Sequence, residues 1–428
     1  MIGDRDRRRV RSRVALILMV ALLAAAALGA APPSAPKATS SCASTVPSSP
    51  AAYAAAFDQL RHTTSWLSAD TAVAVPLPDG RTVWLFGDTY VGTLRGDGTI
   101  DPNSRLLDNS FVVQSGACLT PLEGAQPSAP GSLIPGAPGE AYWPASGVVE
   151  DGVLRVFCTH VRRTGRGPLD YVLLDVQVAT FSLPGLVLEG VQPLPFPTGP
   201  SALYGSTSFV DTDGTVYLYE ENRGDVFVAR APVGQILVPG AWQFWGDPGT
   251  GATWVPNQAE SVPMRWTNMP HLIPAPGEGP RAQPWVRRSG TGYLATAKLA
   301  NAVTDDVSVF TAPAPEGPWT YYSQVATTTA TGLIAYNAYT QTVPGTATPT
   351  VVYSTNLSPF TTPPPLSGQT YGPHFVTPFP NSLPPTPSVI ERSARPHPAA
   401  PRRAHLSRRR AKSQPLERVL LDLHPSLW

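Results

Sequence analysis

The sequence predicts an all-β chain, a five-bladed β-propeller, on three observations. From about residue 62 to 380, short runs rich in Val, Tyr, Phe, Trp and Thr alternate with Gly/Pro/Asp clusters, the pattern of strands and tight turns. A hairpin unit recurs in which a turn glycine is followed by a strand and then, eight positions on, by a polar residue: Pro78 to Asp88, Glu150 to His160 and Thr212 to Asn222. Arg288 to Lys298 follows it more loosely, and Val343 to Asn356 follows it with three extra residues. The turn glycines, Gly80, Gly152, Gly214, Gly290 and Gly345, are spaced by 72, 62, 76 and 55 residues. Compact propeller blades repeat at ~40–45 residues, so these spacings require long loops on one face. A β-sandwich is the competing arrangement, and five similar hairpins weigh against it.

Taken in order, residues 1–31 read as a signal peptide. Six Arg and two Asp between Asp4 and Arg13 precede an apolar run from Val14 to Leu28 and then small residues. The run is short for a bilayer span, which needs ~20 residues. Export to the cell exterior or envelope is therefore expected. Residues 32–60 read as an Ala/Pro/Ser-rich linker with a short helix over Ala51 to Leu60. Residues 61–381 are the expected propeller. Residues 382–428 read as a basic, Pro/Arg-rich disordered tail.

The net charge of +1 conceals an uneven distribution. The N-terminal segment carries +4 and the stretch from Glu391 onward +6, which leaves −9 for the residues between. An acidic folded part argues against nucleic acid as a partner, because phosphate recognition wants a basic face. No Gly-rich loop opens a helix, so no nucleotide site is expected. Of the three cysteines, Cys42 and Cys118 make the better disulfide pair, and Cys158 sits in an apolar run as a buried thiol. No Cys/His spacing suggests a metal, and no cofactor is expected. A monomer is the expected state.

The chemistry centres on the first hairpin. Pro78-Asp79-Gly80 is a turn signal between two strand-like runs, and opposed residues in a hairpin keep a constant index sum. Asp70 and Asp88 are equidistant from the turn at Asp79, so both carboxyl groups are expected at the open end, with Cα atoms on the order of 5 Å apart. Paired carboxylates suit acid/base chemistry, although turn or capping aspartates would look alike. The same mirror rule pairs Trp143 with His160 and Tyr204 with Asn222. It pairs Arg281 or Gln283 with Lys298, and Tyr336 or Asn337 with Asn356. Asn109 is expected on the same face. The resulting set of candidate substrate-binding residues is Asn109, Trp143, His160, Tyr204, Asn222, Gln283, Tyr336 and Asn356. Aromatic faces, amides and carboxylates suit sugar rings. Glu140, Asp108, Glu220 and Glu221 are candidates for a third acid. No G-x-S-x-G marks a serine nucleophile.

The unit ending in Trp84-Leu-Phe-Gly-Asp-Thr-Tyr-Val-Gly92 resembles the family catalogued as domain of unknown function 4185, part of which is glycoside hydrolase family 183, the endo-D-arabinanases. Asn109 to Gly116, Tyr142 to Val149, Tyr204 to Val210, Ala241 to Gly246 and Gly317-Pro-Trp319 resemble it too. The resemblance implies a five-bladed propeller, attack on the D-arabinan of a cell-wall polysaccharide, and catalysis by Asp70 and Asp88. It departs at Ser68-Ala69-Asp70-Thr71-Ala72, where that family often carries glycines. The expectation is a secreted glycoside hydrolase. The alternative is a non-catalytic carbohydrate-binding propeller at the cell envelope.

Overall fold

The computed structural model describes residues 39–384, apart from 126–129, 166–169, 200–201, 223, 271–278, 301, 303, 329–331, 347 and 359–363. The signal-peptide segment and all but the first residues of the tail lie outside the described residues.

The fold is all-β, with one α-helix and a single-turn 3-10 helix among the described residues. Five main sheets follow one another along the chain, each laid down strand by strand from one edge to the other. The first sheet orders Val73–Pro76, Thr82–Phe86, Ser110–Ser115 and Cys118–Leu122, with Ser41–Cys42 added at the outer edge. The second runs Glu140–Glu150, Val153–Arg163, Tyr171–Ser182 and Val187–Pro193. The third runs Thr207–Val210, Thr215–Asn222, Asp225–Pro232, Gln243–Gly246 and Thr253–Val255. The fourth runs Trp285–Ser289, Gly292–Ala297, Asp306–Ala312 and Trp319–Thr327, closed at its outer edge by the short parallel strand Trp266–Thr267. The fifth is Leu333–Gln341, Thr350–Leu357 and Gly372–Val376.

Many strands are apolar on both faces because each sheet lies between two others. Val73, Val75 and Leu85 of the first sheet pack on Leu154, Val156 and Phe181 of the second. Phe157 and Val178 meet Leu218 and Ala229 of the third. Tyr219 and Val226 meet Ala295 and Phe310 of the fourth. Leu294 and Val307 meet Ala335 and Val351 of the fifth. The fifth then returns to the first: Val352 and Phe375 share a cluster with Trp84 and Val112. The Gln341 side chain also accepts from Ala74 N–H and donates to the Ala72 carbonyl, so polar contacts join the same two sheets.

The helix Pro50–Thr63 sits over this last junction. Ser49 caps it by accepting from Ala52 N–H, and Pro50 stands in the first turn, where its missing N–H costs nothing. Tyr53, Ala56, Phe57 and Leu60 recur at helical spacing and are buried against Trp66, Trp84 and Phe375. Truncating Phe57 to alanine there would cost about 3–5 kcal/mol. A disulfide joins Cys42 to Cys118, and Cys158 is a buried free thiol. Residues 39–60, read from sequence as part of the linker and short helix, are thus packed into the fold, and the helix runs on to Thr63.

Candidate active site

The hairpin register is the one that the turn dictates. Val73 faces Leu85 and Pro76 faces Thr82 in the first sheet. Beyond the aspartates, Ala69 faces Thr89 and Ser68 faces Tyr90 in a separate small sheet with Arg105–Leu107. Asp70 and Asp88 stand at the break between the two ladders. The Asp70 N–H donates to the Asp88 carbonyl at 3.3 Å, and the Gly87 N–H donates to the Asp70 carbonyl at 3.1 Å. The structure therefore sets the two aspartates directly opposite each other.

The break is made by unusual backbone. Thr71 and Ala72 have φ of 78° and 56°, the left-handed region that non-glycine residues rarely enter. A hydrogen bond from Thr71 N–H to Ser354 Oγ (2.9 Å) holds this turn against the fifth sheet. Gly87 matters for a different reason. A Cβ there would lie 2.5 Å from Asp70 Oδ1, so only glycine lets that carboxyl group lie against the strand.

Neighbouring sheets complete the site. Tyr336, from the fifth sheet, donates its hydroxyl to Asp70 Oδ2 at 2.8 Å. The Tyr371 hydroxyl donates to the Asp88 carbonyl at 2.6 Å and stands beside the Asp70 carboxyl. From the second sheet, Trp143 Nε1–H donates to Asp88 Oδ1 at 2.8 Å. Arg163 donates to that same oxygen at 3.1 Å and to Asp108 Oδ1 at 2.8 Å. The Arg163 guanidinium lies over the Trp143 ring, 5.8 Å from its centre.

Both carboxyl groups are pushed above the usual aspartate range. For Asp70 the chief cause is burial, opposed by the hydroxyls of Tyr336, Tyr371 and Thr71. For Asp88 burial again leads, reinforced by the charges of Asp70 and Asp108 and opposed by Arg163 and Trp143. The Asp88 side chain keeps 19% of its surface open, so it is reachable while largely stripped of water. Two such carboxyls cannot both ionise cheaply, and the pair holds a proton to higher pH than either would alone.

The other nominated residues divide. Trp143 and Tyr336 touch the aspartates. Asn356 joins them indirectly, through a side-chain bond to Tyr336. Gln283 and Asn222 are partly buried at the strand ends, and Lys298 is buried, donating to the Ala335 carbonyl and Thr328. Three expectations need correction. His160 does not pair with Trp143: a bulge between Pro144 and Ser146 shifts the register by one, so Trp143 faces Thr159 and His160 faces Tyr142. His160 is instead held by Asp175 at 3.0 Å and Glu140 at 3.2 Å, stacked on Tyr142. Tyr204 is only 2% exposed and packs with Phe196 and Phe244 in the core between the second and third sheets. Asn109 is fully buried and spends its amide on Ile134 and the Tyr142 carbonyl. It is a structural clip with no surface to offer a ligand.

Among the third-acid candidates, Asp108 reaches the pair through Arg163, and Glu140 belongs to the His160 cluster. Glu220 and Glu221 are buried in the third sheet, their carboxyls pushed up by burial to about 8 and about 7. Arg163, Tyr371 and Gly87 escaped the sequence reading. Arg163 escaped because the bulge hides it: only with Trp143 facing Thr159 do Thr159, Val161 and Arg163 alternate onto the face that carries Trp143. A cavity of about 720 Å³ lies elsewhere, lined by residues including Phe196, Trp242, Phe244 and Gln258, and holds none of these carboxylates. No described group of His, Cys, Asp and Glu has the makings of a metal site.

A corner of paired carboxylates, fed by donors from two flanking sheets, is the layout of a site for acid/base chemistry on an all-β scaffold. The chain belongs to the family described as Domain of unknown function (DUF5005), whose model matches residues 54–378. This overturns the expected membership of domain of unknown function 4185 and of its family 183 branch. A unit as short as Phe-Gly-Asp-Thr is too short to fix a family. No curated protein matches the sequence. Among solved structures, a putative hydrolase from Bacteroides ovatus is similar at TM-score 0.59 and 21% identity, covering 78% of this chain and 91% of its own, and it shows a shared fold. The GH43 enzyme of Xanthomonas citri complexed with xylose aligns at TM-score 0.42 and 14% identity over 73% of this chain and 88% of its own. A GH43 β-xylosidase/α-arabinofuranosidase from a compost metagenome aligns at TM-score 0.42 and 13% identity over 73% and 92%. Likeness of that degree carries no argument.

Proposed function

We propose that the chain is an exported glycoside hydrolase acting on a neutral polysaccharide, with Asp70 and Asp88 as its acid/base pair. The observation that carries this is the opposed placement of two carboxyls with raised proton affinity at the break of one hairpin. Glycosidic cleavage needs one protonated carboxyl to protonate the leaving oxygen and one ionised carboxylate as base or nucleophile. A coupled pair that shares a proton near neutral pH meets both needs. Trp143 and the phenols beside the pair suit the apolar face of a sugar ring. The five sheets, packed in order with the fifth against the first, support a five-bladed propeller. The hydrolase named from Bacteroides ovatus accords with hydrolysis through its fold. The Cys42–Cys118 disulfide supports secretion or envelope association, since such bonds persist in oxidising compartments. D-arabinan as the substrate rested on the overturned resemblance, so furanoside and pentoside polymers enter the test on equal terms.

The test is incubation of the wild type, Asp70→Asn and Asp88→Asn with a panel of arabinans, xylans and arabinogalactan, followed by product chromatography. The expected result is sugar release by the wild type and loss of about 10²–10⁴-fold in each variant. Binding without release by the wild type would establish the carbohydrate-binding module instead. Full activity in both variants would refute the pair.

A further inference from the structure

The two donors on Asp88 differ in kind from those on Asp70. Tyr336, Tyr371 and Thr71 bring hydroxyls, which can turn and accept as well as donate. The Trp143 indole N–H and the Arg163 guanidinium can only donate, and both fall on Oδ1 of Asp88. A proton on Oδ1 would collide with both. Arg163 is itself fixed. Its backbone N–H donates to the Gly139 carbonyl, and its guanidinium is shared with Asp108. Asp108 is fixed in turn: its N–H donates to Ser132 Oγ at 2.9 Å, and that hydroxyl donates to Asp108 Oδ2 at 3.3 Å. The chain Ser132, Asp108, Arg163, Asp88 thus runs from a main-chain anchor to one chosen oxygen.

We propose that Arg163, anchored by Asp108, is a positioning residue that reserves Oδ1 of Asp88 as a permanent acceptor and confines the proton of this carboxyl to Oδ2. Oδ2 is then the oxygen that exchanges a proton with the substrate. The last step rests on the glycosidase reading; the placement of the proton does not. Asp108 also divides the guanidinium charge, which keeps Asp88 from being locked in its ionised form. The charged and titratable groups facing Asp88 are Asp70, Asp108 and Arg163, with the phenols of Tyr90, Tyr336 and Tyr371.

The experiment is an NMR titration of the intact protein labelled at aspartate side-chain carboxyl carbons and tryptophan indole nitrogens, with no sugar present. Asp88→Asn and Trp143→Phe assign the two signals. In the wild type, the Trp143 indole proton is expected to keep its hydrogen-bonded shift on both sides of the Asp88 midpoint. Loss of that shift as Asp88 protonates would put the proton on Oδ1 and overturn the proposal. Asp108→Asn gives Asp88 the whole guanidinium and is expected to lower its midpoint by about one unit, while Arg163→Gln raises it by about as much and Arg163→Lys restores most of the difference. Shifts of the same sign in Asp108→Asn and Arg163→Gln, or none, would also overturn it. The indole measurement needs no unstable variant. A protein inactive on every polysaccharide would sink the glycosidase reading and leave this result standing.

Discussion

Two clusters of ionisable side chains sit on the hairpins of the first and second sheets, and their hydrogen-bond partners are distributed in opposite ways. Around His160, each partner is matched. The ring nitrogens face Asp175 and Glu140, and Glu140 also receives Arg162 at 3.1 Å. Arg162 and His160 together hold the Glu140 carboxyl below its usual range. Around Asp88, one guanidinium serves two of the three carboxylates, Asp88 and Asp108, and the donors to Asp70 are neutral hydroxyls. Burial raises the proton affinity of both aspartates, and at Asp88 the charges of Asp70 and Asp108 add to it. A saturated cluster acts as a staple between strands. An under-neutralised one, partly buried, can trade a proton near neutral pH.

Gly87→Ala should widen that contrast most. Its new methyl would overlap Asp70 Oδ1 and displace the carboxyl, and a shift of 1 Å in a catalytic group can cost about 100-fold. Steady-state kcat/KM on the hydrolysed polysaccharide measures it. His160→Gln, in the saturated cluster, should leave kcat/KM unchanged while lowering the melting temperature. An activity loss in His160→Gln as deep as in Gly87→Ala would erase the distinction. Tyr336→Phe comes next. It removes a hydrogen bond to a charged acceptor, worth about 1.5–3 kcal/mol, so a loss of roughly 10-fold or more is expected. Because the Tyr336 hydroxyl favours ionised Asp70, its removal should also move the acidic limb of the pH–rate profile upward. An unchanged acidic limb would mean that the Asp70 charge is not set by this bond.

The two clusters also predict opposite effects on stability. A carboxyl whose proton affinity is raised by folding binds more protons in the native state than in the unfolded one. Native stability is therefore lost as pH rises from about 4, where unfolded aspartates ionise, toward neutrality. Asp88→Asn removes that cost and should stabilise the protein at pH 7 by on the order of 1 kcal/mol, with the gain vanishing at pH 3–4. Urea unfolding at the two pH values measures both. A loss of stability at pH 7 in Asp88→Asn would show that Arg163 and Trp143 more than compensate its burial.

The contrast was half legible in the sequence. The symmetry of Asp70 and Asp88 about Asp79 could be read from residue numbers alone, because no bulge intervenes between Val73 and Leu85. The same rule failed one sheet later, where the bulge at Pro144 to Ser146 changes which residues share a face. Hydrophobic alternation also could not tell Tyr204, a core ring, from a rim aromatic, since both read as polar-tipped aromatics at a strand end. Asn109 failed for a similar reason: a buried amide that satisfies loop backbone carries the same letter as one that binds sugar. Tyr371 stands just before the last strand, nearly three hundred residues from Asp88, and only the packing of the fifth sheet on the first brings it in. The family was misread because the resemblance rested on a few short motifs, whereas the DUF5005 match extends over residues 54–378.

The smallest effect is the most local. Thr71 is β-branched and sits at φ 78°, where an L-residue pays roughly 1–2 kcal/mol and glycine pays almost nothing. Thr71→Gly relieves that strain, gives up a buried methyl worth about 0.8 kcal/mol, and frees the unfolded chain somewhat. Its backbone N–H still reaches Ser354. The balance is expected within about 1 kcal/mol of zero, so the melting temperature should scarcely move. Activity should nevertheless fall, because the variant loses both the stiff left-handed turn and the Thr71 hydroxyl beside Asp70 Oδ1. Equal melting temperature with reduced kcat would mark Thr71 as a residue kept for the sake of the site. A large destabilisation would instead place this turn with the His160 cluster, among the features that merely hold strands together.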